Sequence, residues 1–258
     1  MPAPPPALPG FRLRSFIGSG PFGQVYRAYD EHRGREVAVK MLDPRRCTPR
    51  GLARLAELAA RAATSPVARA DQLYEVVPDP ARPFVVMDLL PGESLQQLLL
   101  RVGPMPWKKA RAIAHAIAVA LEAAHDVGVV HGAVKPTNIF FHGGLVLLTD
   151  FGIRTLAGPR DQKALLADAG RLAPEQARGE EPDARADVYG LGLVLYELVT
   201  GRLPFVGDPR DVLHQQRKKP PPAPSTFNPD LPAAADALIL ELLAKTPAQR
   251  PPTASRLR

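Results

Sequence analysis

The polarity pattern changes character partway along the chain. From Phe11, apolar and polar residues alternate with a period of about two, which predicts short strands at residues 11–13, 16–17, 25–29 and 36–40. Residues 51–64, GLARLAELAARAAT, break that rhythm with Ala and Leu at helical spacing among Arg and Glu. Two more strands are expected at 72–77 and 84–87, around a polar turn at 78–83. From Ser94 onward the apolar period is about 3.6 residues, predicting helices at 94–100 and 107–125. The second is long enough to be the main buried helix of an α-rich unit. The apolar run 145–149 reads as one further strand, Pro220 to Pro224 as a loop, and 233–245 as a helix. Residues 1–9 are rich in Pro and Ala, carry no packing pattern, and are expected to be a disordered or polyproline-like lead-in.

Composition narrows the class. A chain of 258 residues with 45% hydrophobic content can bury a proper core, in one large domain or a two-lobed one. The net charge of +7 raises the question of nucleic acid. No Lys/Arg block with interleaved aromatics is present, and the excess is mostly Arg scattered along Ala-rich helices, so a solvated basic surface is expected and no nucleic-acid partner. The single cysteine, Cys47, excludes an internal disulfide framework and fits a reducing compartment. No apolar run reaches roughly 18 residues, so no membrane span is expected within this segment, and a cytoplasmic location is.

Two stretches carry candidate chemistry. Gly18-Ser19-Gly20-Pro21-Phe22-Gly23 lies between predicted strands, where glycines let backbone N–H groups come close to phosphate oxygens. Such a motif also opens dinucleotide sites. Here it is followed by a strand-like run, Val25 to Tyr29, and then by Glu36-Val37-Ala38-Val39-Lys40, which argues against a dinucleotide fold. The second stretch is residues 129–152. It sets a polar turn, His131-Gly132-Ala133-Val134-Lys135-Pro136-Thr137-Asn138, before an apolar strand that ends in Asp150-Phe151-Gly152.

Together these stretches resemble the eukaryotic-type serine/threonine protein kinases of bacteria. Ala173-Pro174-Glu175, the 183–205 stretch beginning Asp183-Ala184-Arg185-Ala186-Asp187, and Arg250 near the end extend the resemblance over roughly residues 11–257. It implies a two-lobed α+β fold: a tail at 1–10, a small lobe of antiparallel sheet plus one helix at 11–90, and a mainly helical lobe at 91–258 whose final helix looks cut short. It implies ATP and Mg2+ as ligands. Gly18, Gly20 and Gly23 would cover the phosphates, Val25, Ala38 and Phe140 would enclose the adenine, and Met87 would be the gatekeeper beside it. Backbone groups of Asp88 and Leu90 would bond the adenine edge. Lys40 would grip the α- and β-phosphates, Lys135 the γ-phosphate, and Asn138 and Asp150 the metal. Glu57, the acidic residue of the first helix, would pair with Lys40, although counting back from Ser65-Pro66 points nearer Ala56. Glu175 would pair with Arg250, and Asp187 would hold the catalytic-loop backbone. His115, His125 and His131 are expected to be structural.

The sequence also departs from that family. In its His-Arg-Asp pattern the Arg is replaced by Gly132 and the catalytic Asp by Ala133, whose methyl group cannot accept a proton. Asp168 stands where the family has a Thr before Ala-Pro-Glu, and Thr155 is the only hydroxyl residue between Asp150 and Glu175. Phosphorylation switching of the usual kind would have little to act on. Asp168 could be plainly exposed, could plug the site by pairing with Lys135, or could serve as a surrogate base. The expectation is a nucleotide-binding pseudokinase acting as a scaffold or allosteric module toward protein partners the sequence does not identify; the alternatives are a weakly active kinase and a kinase-shaped adaptor that takes no nucleotide.

Overall fold

The computed structural model describes residues 8–63, 73–158 and 160–253. Five strands make one antiparallel sheet: β1 (Phe11–Gly20), β2 (Gly23–Asp30), β3 (Arg35–Leu42), β4 (Leu73–Val77) and β5 (Phe84–Asp88), in the order β1-β2-β3-β5-β4. The two short strands expected at 11–13 and 16–17 are one strand, kinked by register shifts after Leu13 and Phe16. Such irregularities interrupt strict alternation, which is why the sequence reads as broken there. The two-residue turn Pro21-Phe22 joins Gly20 to its partner Gly23. At Gly23, φ is +154° and a Cβ would fall 1.9 Å from the Met41 carbonyl oxygen, so only glycine fits.

Alternation along β3 sends its residues to two cores. Val37 and Val39 join Ala28, Phe84 and Val86 on one face, while Ala38 joins Val85 and Met87 on the other. The first face has a cover that corrects the expected tail: Leu8 is 7% exposed and packs into that cluster. Gly10, at φ +79°, turns the chain back so that the Phe11 N–H reaches the Leu8 carbonyl at 3.1 Å. Leu8 is thus part of the packed sheet face, and the expectation for residues 1–7 lies outside the described residues.

Helix α1 (Pro49–Ala62) covers the second face. Thr48 caps it by accepting from the Gly51 N–H at 2.9 Å, and Pro49 starts it. Leu52, Leu55 and Leu58 recur three apart and turn inward, with Gly51 beside them. Gly51 permits a close approach: a Cβ there would lie 2.3 Å from the Thr155 carbonyl oxygen.

The remainder is helical. Helices α2 (Leu95–Val102) and α3 (Trp107–Asp126) precede a small hairpin of β6 (Ile139–His142) and β7 (Leu145–Leu148), then α4 (Gln162–Ala167), α5 (Pro174–Ala177), α6 (Ala184–Thr200), α7 (Pro209–Lys218) and α8 (Ala233–Leu242). Helix α6 is buried on nearly every side, with Tyr189 and Tyr196 wholly enclosed, and packs against α3 and α8. The closing helix stops at Leu242, three residues earlier than expected. The expectation of a truncated final helix falls on residues 254–258, outside the described residues. Among the described residues no helix is long and apolar enough to cross a membrane.

Candidate functional site

Asp187, at the start of α6, builds the loop before β6. Its carboxylate accepts from the backbone N–H groups of His131 (2.8 Å) and Gly132 (2.7 Å) and lies 2.8 Å from the His125 Nε2. Gly132 sits at φ +72°, a conformation that costs other residues about 1–2 kcal/mol. The wholly buried His131 ring stacks on Phe151 at 4.4 Å, and its Nδ1 accepts from the Ala133 N–H at 3.2 Å. Burial lowers the pKa of this imidazole, which keeps it neutral and structural.

The same loop places the metal candidates. The Asn138 carbonyl oxygen receives the Thr149 N–H at 2.9 Å, and Ile139 pairs with Leu148, so Asn138 and Asp150 flank one end of the β6–β7 hairpin. The Asn138 amide donates to the Ala133 carbonyl oxygen at 3.0 Å, and its Oδ1 accepts from the Thr137 hydroxyl at 3.3 Å. Asp150 is a non-glycine residue at φ +64°. Two hard oxygens fit a Mg2+ that takes further ligands from phosphate and water. Among the described residues no group of three or more His, Cys, Asp or Glu side chains could hold a metal by itself.

Lys40 reaches this end of the cleft from β3. Its Nζ donates to both Asp150 oxygens at 2.6 Å, and the two side chains are 6% and 19% exposed. Burial pushes the Asp150 carboxyl up, but Lys40, with Lys135 and His131, outweighs it and holds the group below the usual carboxylate range. The expected Glu57–Lys40 pair is not made. Glu57 is 60% exposed and bonds Arg54 at 2.9 Å, and Ala56 also faces outward. Leu55 and Leu58 hold the inner face instead: a Cβ on Gly152 would lie 2.5 Å from Leu58 Cδ1 and 3.7 Å from Leu55 Cδ1. The 3-10 turn Ile153–Leu156 also packs there, tied to the helix cap by the Thr48 N–H on the Leu156 carbonyl at 2.9 Å.

Val25, Ala38 and Met87, with Leu89 and Ala133, share one apolar cluster. Phe22, at the tip of the glycine turn, is 3% exposed and belongs to it too, a role that its place in a loop motif does not suggest. Phe140 stands half-buried on the neighbouring hairpin, outside this cluster, and Asp88 and Leu90 follow at the end of β5. At Gly18 and Gly20 an added Cβ would meet no atom of the described residues within 4 Å, so these two glycines leave open space among them.

The most informative contacts involve Asp168. It is not exposed: its side chain is 10% accessible and accepts from Lys135 Nζ through one oxygen and from an Arg154 guanidinium nitrogen through the other, both at 2.9 Å. This arrangement matches the plug and overturns the exposed reading. Arg154, on the turn after Asp-Phe-Gly, carries no periodic signal in the sequence. Gln176 is a second such residue, donating to the Gly132 carbonyl oxygen at 2.9 Å. The Thr155 hydroxyl is engaged internally, on the Gly152 carbonyl at 2.7 Å. Farther off, Arg250 bonds Glu175 through two nitrogens at 2.6 and 2.8 Å, as expected.

The protein kinase domain family matches residues 11–258. The chain is 37% identical over 261 residues to the serine/threonine-protein kinase PknB of Mycobacterium tuberculosis, covering 96% of this chain and 42% of that protein. It is 36% identical over 270 residues to PknB of Mycobacterium leprae, covering all of this chain and 43% of the relative. It thus spans about two fifths of the length of these bacterial relatives. The crystal structure of the Mycobacterium tuberculosis PknI kinase domain superposes with a TM-score of 0.77 at 26% identity, over 97% of this chain and 94% of that one. With glycine turn, strand lysine, Asn138, Asp150 and the Glu175–Arg250 pair in one two-lobed frame, the chain belongs to the protein kinase domain family.

Proposed function

We propose that this chain is an ATP- and Mg2+-binding pseudokinase that works as a signalling scaffold or allosteric module in the cytoplasm. The observation that carries the reading is the methyl group at residue 133. The two carboxylates bonded nearby are both occupied, Asp150 by Lys40 and Asp168 by Lys135 and Arg154. Both oxygens of Asp168 are already taken up, one by Lys135 and one by Arg154 at 2.9 Å, so neither is turned toward an incoming hydroxyl, which speaks against a surrogate base. Nucleotide binding is supported by the open space at Gly18 and Gly20, by the cluster of Val25, Ala38 and Met87, and by the oxygens of Asn138 and Asp150. Those two oxygens would hold Mg2+, whose part is to neutralise phosphate charge. Lys40 would face the inner phosphates and Lys135 the outermost one.

A second reading, a weakly active serine/threonine kinase, is favoured by the names of relatives at 36–37% identity. Positioning and electrostatics supply most of phosphoryl-transfer catalysis, so a missing base leaves a large deficit and not strict zero. Thermal denaturation with ATP and Mg2+ tests the nucleotide-binding core of both readings. At ligand a hundredfold above Kd the protein gains about 2.7 kcal/mol, or roughly 5–10 °C. Lys40→Met or Asp150→Asn abolishes the gain. A protein that does not respond to nucleotide at all would be the third alternative, an adaptor.

A further inference from the structure

The charged groups of the cleft form an alternating row: Lys40, Asp150, Lys135, Asp168, Arg154. Three of its links are direct bonds, at 2.6, 2.9 and 2.9 Å. The fourth, between Asp150 and Lys135, is an attraction through space. Three cations face two carboxylates, so the row carries one positive charge in excess. Its members are between 6% and 19% exposed, which limits screening by solvent. A magnesium diphosphate carries about one negative charge and a magnesium triphosphate about two. The row as it stands thus balances the diphosphate. The outermost phosphate of a triphosphate falls to Lys135, whose Nζ is already bonded to Asp168 at 2.9 Å.

We propose that Asp168 is a built-in competitor for the terminal phosphate: it holds Lys135, so the cleft accepts a nucleoside diphosphate with magnesium as it stands and a triphosphate only when the Lys135–Asp168 bond opens. Arg154 retains Asp168 when Lys135 leaves, so the carboxylate is not stranded. Asp168 closes α4 and precedes the 3-10 turn Ala169–Arg171. A cavity of about 480 Å³ borders Lys135, Asp168, Leu203 and Phe205 and gives this stretch room to shift. The third phosphate is thereby coupled to the position of α4, a coupling that needs no phosphorylated residue. The inference rests on the nucleotide-binding half of the proposed function and is independent of residue 133.

Calorimetric titration of the whole chain with ADP and with ATP, each with Mg2+, tests it. Wild type binds ADP at least as tightly as ATP. Asp168→Asn, nearly equal in shape, tightens ATP about tenfold and moves ADP less than about twofold. In a Lys135→Gln background the same change alters ATP affinity less than about twofold. Hydrogen exchange on wild type gives a measurement free of any variant: residues 162–171 exchange faster with ATP bound than with ADP bound. Wild-type preference for ATP, equal tightening of both nucleotides by Asp168→Asn, or equal exchange in both complexes overturns the competitor and leaves nucleotide binding standing. No binding of either nucleotide by any variant overturns the nucleotide reading and the competitor with it.

Discussion

Replacing Lys40 by Met and Asp150 by Asn, singly and together, in nucleotide-free protein measures the bond that joins β3 to the Asp-Phe-Gly segment. The charged atoms are 2.6 Å apart, and the side chains are 6% and 19% exposed. At an effective dielectric constant of about 20 the bare attraction is about 6 kcal/mol, most of it offset by taking two charges out of water. Two charge-assisted hydrogen bonds in such a setting leave a net coupling of about 2–3 kcal/mol. Each single variant strands the partner's charge and loses about 3 kcal/mol, whereas the double variant loses about 3–4 and not about 6. Urea unfolding reads these values from shifted midpoints at constant slope. Glu57→Gln is the control: as a solvated residue it changes stability by less than about 0.5 kcal/mol and shows no coupling to Lys40→Met. A Lys40–Asp150 coupling below about 0.5 kcal/mol, or one above about 1 kcal/mol between Lys40 and Glu57, refutes this arrangement of β3 and α1.

Arg250→Met removes a wholly buried guanidinium that bonds Glu175 twice and donates to the Arg185 carbonyl at 2.9 Å; it loses about 3–5 kcal/mol in urea unfolding, a large share of a domain's stability. Asp150 gives a pH signature of definite sign. Its folded pKa lies below the ordinary 3.8, so its contribution is present above that value and lost as pH falls from 3.8 through the folded value. Wild type therefore loses stability more steeply than Asp150→Asn on acidification from pH 5 to pH 3, measured by unfolding midpoints; parallel slopes would contradict the assignment.

Much of this fold is written in short-range pattern. The alternation around Val37 and Val39, the inward Leu residues of α1 and the Pro and Gly stops at its neighbours are local properties, and they survive folding nearly unchanged. The motif residues Lys40, Asn138, Asp150, Asp187 and Arg250 are legible because each stands in a short motif by which the chain resembles its family. Glu57 was not, since acidity says nothing of helix phase: which side of α1 faces β3 is decided by Leu55 and Leu58 packing on Gly152. Asp168 and Arg154 lie 14 residues apart on irregular chain, where no period reports contact. Leu8 is illegible for a related reason, a lone leucine in a Pro/Ala-rich run whose burial depends on the turn at Gly10.

Transfer of labelled γ-phosphate to a generic basic protein, by wild type and by Ala133→Asp side by side, tests the central claim most directly. The backbone at residue 133 is already held by His131 and Asn138, so the new carboxylate projects from a loop in place. A positioned base is worth roughly 10²- to 10⁴-fold, about 3–5 kcal/mol of barrier. Wild type should transfer at least about a hundredfold more slowly than the Asp variant. Equal and measurable rates would mean that this protein moves phosphate without a carboxylate at residue 133, and the pseudokinase reading would fall.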